Sequence, residues 1–186
     1  GNADVYVMNA HGGEIRRVTW HPGYDEVVGW HPTQNKILFS SSRRSWAGFT
    51  RLYLIAPDGT GLEELILHEA SAGCFSPDGG QIAYTRVGGE NRTWKRYKGG
   101  NAPEIWLYDF TKNTSEKITN WEGADEWPMW HGRTIYYTTD KGGRTANLWA
   151  YDLDRKTQSQ VTDFKEYDVK WPSIGADTIV FENGGY

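Results

Sequence analysis

Cysteine is nearly absent from this 186-residue chain: Cys74 is the only one, so no disulfide can form within it. Apolar runs are also short, about six residues at most, whereas a membrane-spanning helix needs roughly 20. Basic residues are not in excess, since 20 Lys and Arg stand against 24 Asp and Glu. We therefore expect neither a membrane nor a nucleic acid as partner, because nucleic-acid binding needs a basic face.

Helical periodicity is missing too, because no long window places apolar residues at helical spacing, so we expect little or no helix. The chain is instead rich in aromatic residues and glycine, with 10 Trp, 11 Tyr and 22 Gly. Large aromatic side chains suit half-buried sheets, and glycines suit tight turns. This composition predicts an all-β protein.

The clearest local pattern is a β-hairpin. An apolar strand ends at Phe75, the turn Ser76-Pro77-Asp78-Gly79-Gly80 follows, and a second strand begins at Gln81. Proline fixes φ near the value that a turn requires, and Asp-Gly-Gly tolerates positive φ. Similar hairpins recur along the chain.

Aligning these hairpins gives a repeat of four strands. The first strand of each copy is predicted to end in an aromatic residue, at Trp30, Phe75, Trp130 and Trp171. Of these, Trp130 and Trp171 are candidates for burial between blades. The third strand carries an aromatic residue at Tyr6, Tyr53, Trp106 and Trp149. Four-stranded units of about 40–50 residues are typical of β-propeller blades. The chain is thus predicted to be one partial propeller of antiparallel blades: an outer half-blade (1–20), three blades (26–67, 70–119 and 124–162) and an inner half-blade (167–186).

The two half-blades are complementary, because one supplies third and fourth strands and the other supplies first and second strands. Within one chain they would close a four-bladed ring, and between two chains an eight-bladed ring. If the blades come from a six-bladed parent, neighbouring blades are rotated by about 60° relative to each other. That step is nearer to the one of about 45° in an eight-bladed ring than to the one of about 90° in a four-bladed ring. We therefore favour a homodimer, with the four-bladed monomer as the alternative.

Two loops combine basic and aromatic residues at corresponding places, between the second and third strands of neighbouring blades. They contain Arg92, Trp94, Lys95, Arg96 and Lys98 in one blade, and Arg43 and Arg44 in the blade before it. Exposed loops whose aromatics cover a neighbouring blade explain this pattern without a ligand. The functional hypothesis is that both loops contact the carboxylate of a peptide on one face of the ring.

No pattern predicts catalysis, a metal site or a cofactor. The five histidines are not at metal-ligand spacing, and His31 and His131 occupy the same position of the repeat, which indicates a role in turns. A nucleophile elbow, a phosphate loop and a dinucleotide fingerprint are all missing from the sequence. Cys74, in a predicted inner strand, is expected to be a small buried hydrophobe.

Two further motifs carry a family resemblance. One is the insertion Thr93-Trp94-Lys95-Arg96-Tyr97-Lys98-Gly99-Gly100, and the other is Asn120-Trp121-Glu122-Gly123 followed by Trp127-Pro128-Met129-Trp130-His131-Gly132. With these motifs the whole chain resembles the N-terminal six-bladed, TolB-like propeller of tricorn-type proteases. The resemblance implies a non-catalytic portion of a prokaryotic serine peptidase, since the family's protease and PDZ domains lie outside the matched region and none of its catalytic residues has a counterpart here.

The resemblance further implies a role as scaffold and as a filter that admits peptides. The location is left open, with the cytoplasm favoured. Two alternatives stay open: a stand-alone TolB-like module that binds a protein or peptide, and a self-associating fragment without a ligand.

Overall fold

The computed structural model describes residues 2–45, 49–88 and 96–185. Across these residues the protein contains 16 β-strands and no helix, and therefore no helix that could cross a membrane. The strands form antiparallel sheets of two or four strands. The predicted fold class, an all-β propeller of four-stranded blades, is confirmed. The chain divides into two compact units, one ending at Ser71 and the other beginning at Ala72.

The first unit contains a two-stranded sheet and a four-stranded sheet. The two-stranded sheet pairs β1 (Tyr6–Val7) with β2 (Arg16–Arg17). The four-stranded sheet has the sequential order β3 (Asp25–Trp30), β4 (Ile37–Ser41), β5 (Arg51–Ile55) and β6 (Glu63–Glu64). Sequential pairing of neighbours is the meander expected of propeller blades.

The second unit contains two four-stranded sheets and a final two-stranded sheet. The first is β7 (Gly73–Phe75), β8 (Gln81–Thr85), β9 (Ile105–Asp109) and β10 (Thr114–Lys117). The second is β11 (Asp125–His131), β12 (Thr134–Thr139), β13 (Asn147–Asp152) and β14 (Thr157–Gln160). The third pairs β15 (Val169–Gly175) with β16 (Thr178–Asn183).

The hairpin between β7 and β8 shows how the repeat turns. The Ser76 hydroxyl donates to Asp78 Oδ1 at 2.6 Å and accepts the Gln81 N–H at 2.9 Å. Asp78 Oδ1 also accepts the Gly80 N–H at 3.0 Å, and Gly79 has a φ of 75°. Short polar side chains thus satisfy the turn backbone, as the sequence predicted.

Apolar side chains fill the space between adjacent sheets. In the first unit, Val5 and Val18 pack against Ile37, Phe39 and Tyr53. In the second unit, one cluster joins the sheets β7–β10 and β11–β14, and its buried members are Ala83, Ile105, Ile118, Trp130, Ile135, Tyr137 and Tyr151. Another joins β11–β14 to β15–β16 through Met129, Leu148 and Val169. Each sheet is therefore held by apolar burial on its faces.

Within each unit, a backbone hydrogen bond joins neighbouring sheets at the start of a first strand. The Asp125 N–H donates to Pro103 O at 2.9 Å, and the Val169 N–H donates to Ala146 O at 2.8 Å. The same contact joins the Asp25 N–H to Ala3 O at 3.0 Å in the first unit. These bonds fix where each first strand begins, and hence where its side chains lie.

The first strands carry a β-bulge that the sequence alignment missed. In β11 the register shifts between Glu126 and Met129, and in β15 between Lys170 and Ser173. Two residues therefore stand opposite a single partner in each strand, Trp127-Pro128 in one and Trp171-Pro172 in the other.

The prediction that β15, the first strand of the final sheet, ends at Trp171 is wrong. β15 continues to Gly175, and Ile174, which pairs with Ile179, takes the position that Trp130 has opposite Ile135. Trp171 is 52% exposed and Trp30 is 55% exposed, so neither is buried between sheets, whereas Trp130 is 6% exposed. The alignment failed because it matched tryptophan to tryptophan, while the register is counted from the hairpin.

Candidate functional site

The two motifs that carry the family resemblance meet in one cleft of the second unit. Its volume is about 320 Å³, and it is lined by Lys98, Gly99, Gly100, Ala102, Glu104, Trp121 and Glu122. The Lys98 ammonium lies 4.7 Å from the centre of the Trp121 ring and 2.6 Å from Glu122 Oε1. Residues separated by more than 20 positions thus form one aromatic and charged wall.

Glycine is required at both ends of this arrangement. A side chain at Gly99, which has a φ of 144°, would lie 2.8 Å from the Tyr97 hydroxyl. A side chain at Gly123 would collide with the Trp121 indole nitrogen and come within 2.6 Å of Asp140 Oδ1. That oxygen accepts the Trp121 indole N–H at 2.6 Å, which fixes the ring facing the cleft.

The charges of the cleft are exposed and therefore exchangeable. The Lys98 side chain is 51% exposed and that of Glu122 is 66% exposed. Solvent-exposed ion pairs contribute about 0–1 kcal/mol. A ligand carboxylate could replace Glu122 beside Lys98 at little cost, so Lys98 can serve the predicted role.

Arg43, which the sequence predicts to contact a peptide carboxylate, forms a buried ion pair within its own sheet. Its guanidinium lies 2.8 Å from Asp25 Oδ2, and the two side chains are only 11% and 0% exposed. It also lies 5.1 Å from the Phe39 ring centre and 5.0 Å from that of Tyr53. Breaking a buried pair leaves an uncompensated charge. Arg43 is thus occupied in holding its own sheet.

Arg44 contacts Glu64, which it shares with Arg51. Glu64 Oε2 lies 3.1 Å from Arg44 and Oε1 lies 2.6 Å from Arg51. Burial opposes ionisation, but the hydrogen bonds from Arg51 and Arg44 outweigh it and lower the pKa of Glu64. The Arg44 side chain is 72% exposed, so it remains accessible to a ligand.

The remaining predicted contact residues are in the second loop. Arg96 has a φ of 60°, and its Nε donates to the carbonyl of Arg144 at 3.4 Å. Arg92, Trp94 and Lys95 lie outside the described residues. The loops of Arg43 and Arg96 belong to different units, so the hypothesis that they lie on one face of the ring stays a prediction.

The first strand of the sheet β11–β14 begins with a buried carboxylate that sequence analysis did not single out. Asp125 is 1% exposed, and among the described residues no hydrogen bond reaches either of its oxygens. Burial raises its pKa to about 6, while the nearby hydroxyls of Thr139 and Thr119 and the charge of Lys141 oppose the rise. A buried carboxylate of this kind is uncommon without a partner.

Asp25 is the equivalent residue in the first unit, and the pattern could have been found. Gly-x-Asp-Glu occurs at Gly23–Glu26 and at Gly123–Glu126, each time before a first strand. Asp25 pairs with Ser41, and Asp125 pairs with Thr139. The position two residues after each partner is Arg43 in one sheet and Lys141 in the other.

The bulges create a second feature that the sequence analysis missed. The Trp127 and Trp171 rings lie 5.3 Å apart between centres, at an interplanar angle of 66°. Their φ values are 55° and 49°, which bulky residues rarely adopt. The repeated Trp-Pro dipeptide, at positions 127–128 and 171–172, was the available signal.

A second cleft, of about 410 Å³, lies in the same unit. It is lined by Lys117, Ile118, Thr119, Asn120, Lys141, Tyr151, Lys156 and Gln158. Its lysines already have partners: Lys117 lies 2.9 Å from Glu104, Lys156 lies 3.0 Å from Glu116, and Lys141 donates to Gln158 at 2.7 Å. Lys117 and Lys156 are thus paired with carboxylates, whereas the partner of Lys141 is a neutral amide.

The histidines take part in turns. The His31 Nδ1 accepts the N–H groups of Thr33 and Gln34 at 3.3 and 3.1 Å. Burial, followed by the charge of Lys36, lowers the pKa of His31. His131 lies 3.4 Å from Asp177 across the next hairpin. No group of three or more potential metal ligands occurs in the part of the chain that the structure describes.

Cys74 packs against the cluster between the sheets β7–β10 and β11–β14. Its Sγ accepts the Trp130 N–H at 3.3 Å, and burial raises the pKa of its thiol. These contacts make it a structural residue.

The four-stranded sheets are antiparallel, have meander order and pack against adjacent sheets. These features define the fold class as a β-propeller. The family model described as "Tricorn protease N-terminal beta propeller domain" matches residues 1–186. The chain belongs to this family.

Named proteins of similar sequence and structure agree with the assignment. The tricorn protease of Thermoplasma acidophilum is 29% identical over 145 residues, which cover 74% of this chain and 13% of that protein. The crystal structure of the tricorn protease matches 99% of this chain and 18% of its own, with 27% identity and a TM-score of 0.84. TolB from Acinetobacter baumannii matches 95% of this chain and 42% of its own with a TM-score of 0.74, but at 21% identity it shows the fold alone. The chain thus spans less than a fifth of the length of these tricorn proteases.

Proposed function

We propose that this chain is the non-catalytic propeller portion of a tricorn-like serine peptidase and that it acts as a scaffold and as a filter for peptides. The observation that carries the proposal is the family match over all of residues 1–186. Peptidase activity would reside in the rest of the parent protein.

The cleft at Lys98 supports a role with peptides. It offers a cation, a carboxylate and an indole ring within a few ångströms. A peptide carries both an amino and a carboxyl group, so a wall with both charges suits it better than a purely basic one. The exposed ion pair exchanges at low cost, as expected of a passage rather than a tight binding site.

Calorimetric titration of short peptides tests the proposal. The chain should bind blocked and unblocked hexapeptides, and the Arg96→Ala, Lys98→Ala double variant should bind the unblocked peptides about three- to tenfold more weakly. Lys112→Ala is the matched control, because Lys112 also forms an exposed pair, with Asp109 in a turn. Equal affinity of the double variant and the control would remove the loop from the proposal, and no binding of any peptide would overturn the filter role.

We also propose that the chain associates with a second copy through its two-stranded sheets. Apolar side chains in or next to these sheets are well exposed: Tyr6 (54%) in β1, Val180 (61%) in β16 and Ile15 (63%), which precedes β2. Apolar exposure of this kind favours association. Light scattering should give the mass of a dimer at micromolar concentration, and a compact monomer would overturn this proposal.

A further inference from the structure

A cation already lies on the Trp121 ring. The Lys98 ammonium is 4.7 Å from the centre of this ring and 2.6 Å from Glu122 Oε1. The face of an indole ring attracts cations, and the neighbouring carboxylate adds a negative charge. The Trp121 ring and the Glu122 carboxylate form the indole–carboxylate corner. This corner binds an organic cation, which the chain supplies from its own side chain.

The corner is fixed by contacts that do not involve the Lys98 side chain. The Trp121 indole N–H donates to Asp140 Oδ1 at 2.6 Å, and the Glu122 carbonyl accepts the Gly99 N–H at 3.2 Å. Glycine at position 123 leaves room for the indole, because a Cβ there would lie 2.3 Å from its nitrogen. The ring and the Glu122 backbone thus keep their places if the Lys98 side chain leaves. Binding to a preorganised site loses less conformational entropy.

The Lys98 side chain can be displaced because its contacts are exposed to solvent. It is 51% exposed, and the Glu122 side chain is 66% exposed. Exposed ion pairs are weak, and a lysine side chain that is released regains rotamer freedom. A ligand cation can therefore take the place of this ammonium at little cost.

The charges that would remain at the corner favour another cation. Among the described residues that line the cleft, Lys98 alone is basic, whereas Glu104 and Glu122 are both acidic. Glu104 keeps its own partner, because Lys117 lies 2.9 Å away. Glu122 would lose its contact with Lys98, and Asp140 lies at the nitrogen of the ring. An anion at the emptied corner would meet carboxylates, and a cation would restore the ion pair.

We propose that the indole–carboxylate corner recognises a basic group of an oligopeptide, and that Lys98 occupies the corner until this group displaces it. The inference rests on the proposed peptide-filter function and names the class of peptide that the filter recognises. The basic group is an Arg or Lys side chain or the amino terminus, since each presents a cation with N–H donors. An internal competitor lowers the apparent affinity in proportion to the fraction of molecules whose corner is empty.

Removal of the competitor tests this inference. Lys98→Met keeps an apolar stem and removes the ammonium. Lys112→Met is the matched control, because Lys112 forms an exposed pair with Asp109 in a turn. The probes are three amidated hexapeptides without acidic residues, so the proposed contact between Lys98 and a peptide carboxylate does not enter the comparison. Two are acetylated and differ only in Arg or its uncharged analogue citrulline at one central position. The third contains citrulline and has a free amino terminus.

In calorimetric titrations the unsubstituted chain and Lys112→Met should bind the Arg peptide about threefold more tightly than the acetylated citrulline peptide. Lys98→Met should raise this ratio to about tenfold by strengthening the Arg peptide alone of these two, because the corner is then always empty. Misfolding cannot produce such a gain. Adding Trp121→Leu should abolish the preference. The Arg peptide should also shift the indole N–H nuclear magnetic resonance signal of Trp121, which the Trp121→Leu variant assigns.

The third peptide distinguishes the two sources of the cation. A gain for the Arg peptide supports recognition of a side chain, and a gain for the peptide with the free amino terminus supports recognition of the terminus. If Lys98→Met strengthens neither, or strengthens all three peptides equally, the inference is overturned and the filter function stands. A preference for Arg that persists after Trp121→Leu also overturns the inference. If none of the three peptides binds the unsubstituted chain, both proposals fall.

Discussion

Asp25 and Asp125 begin equivalent first strands, yet one is compensated and the other is not. Asp25 accepts the Ser41 hydroxyl at 2.5 Å and lies 2.8 Å from the Arg43 guanidinium. In the part of the chain that the structure describes, Asp125 has no hydrogen bond at either oxygen, although Thr139 and Lys141 occupy the corresponding places. The same position in the repeat thus holds a charge in two different ways.

The difference comes from the reach of the two cations. Arg43 lies over Phe39 and Tyr53 and still reaches Asp25, because its planar guanidinium presents several donors. Lys141 lies 5.2 Å from the centre of the Trp149 ring, and its single ammonium donates to Gln158. An arginine can contact an aromatic ring and a carboxylate together, whereas the ammonium of this lysine contacts the outer strands and acts on Asp125 only through its charge.

The largest effect on stability is expected from Arg43→Met, which would leave Asp25 without a hydrogen-bonded cation, as Asp125 is now. The substitution keeps the apolar stem but leaves Asp25 buried without its cation. Loss of one partner of a buried pair costs about 3–5 kcal/mol. Urea unfolding should show this loss at pH 7. Adding Asp25→Asn should restore most of it, and if it restores nothing, the loss comes from packing and not from charge.

Asp125→Asn should change how stability depends on pH. The folded-state pKa of Asp125, about 6, lies above its ordinary value of 3.8. The protonated form is favoured in the folded state, so this group's contribution is fully present below about pH 4 and is lost as the pH rises through about 6. The shift corresponds to about 3 kcal/mol between pH 4 and pH 7.

The measurement is the difference between variant and unsubstituted chain in urea unfolding at pH 4, 5, 6 and 7. Hydrogen bonds to Asp58, Asp78 and Asp109 lower their pKa values, so the contribution of these carboxylates to the stability of the folded protein increases as the pH rises. Their contribution is common to both proteins and cancels in the difference. Relative to the unsubstituted chain, Asp125→Asn should gain stability with rising pH, and a constant difference would contradict the raised pKa.

The sequence predicts most of the fold but little of this chemistry. Turn residues such as Pro77-Asp78-Gly79 and aromatic residues at fixed spacing define the strands, because local backbone preferences and alternating burial act within each repeat. The partners of Asp25 and Asp125 depend on where a long side chain ends. Arg43 and Lys141 are basic residues at corresponding positions of the repeat. Only the geometry of the sheets shows that Arg43 reaches its carboxylate and that Lys141 does not.

The bulges illustrate the same limit. The alignment places Trp171 with Trp130, tryptophan against tryptophan, but the register shows that its structural counterpart is Trp127. An extra residue in the strand shifts every later side chain to the other face. Sequence spacing alone cannot place that shift, although the repeated Trp-Pro dipeptide marks it.

Lys141→Arg should make the second carboxylate resemble the first. A guanidinium over Trp149 would be able to reach Asp125, as Arg43 reaches Asp25. Hydrogen bonds to charged groups contribute about 1.5–3 kcal/mol, and loss of the bond to Gln158 offsets about 1 kcal/mol, so a net gain of about 1 kcal/mol at pH 7 is expected. The pH dependence assigned to Asp125 should weaken as well. A pH profile identical to that of the unsubstituted chain would show that the new guanidinium does not reach the carboxylate.

The smallest effect is expected at Arg44, the sequence neighbour of Arg43. Its side chain is 72% exposed, and Arg51 continues to hold Glu64 when Arg44 is removed. Exposed ion pairs contribute about 0–1 kcal/mol, so Arg44→Met should lower the unfolding free energy by less than about 0.5 kcal/mol. The same urea experiment that detects a large loss for Arg43→Met should barely register this one. If the two substitutions cost the same, burial does not separate these arginines, and the contrast drawn between Asp25 and Asp125 would lose its physical basis.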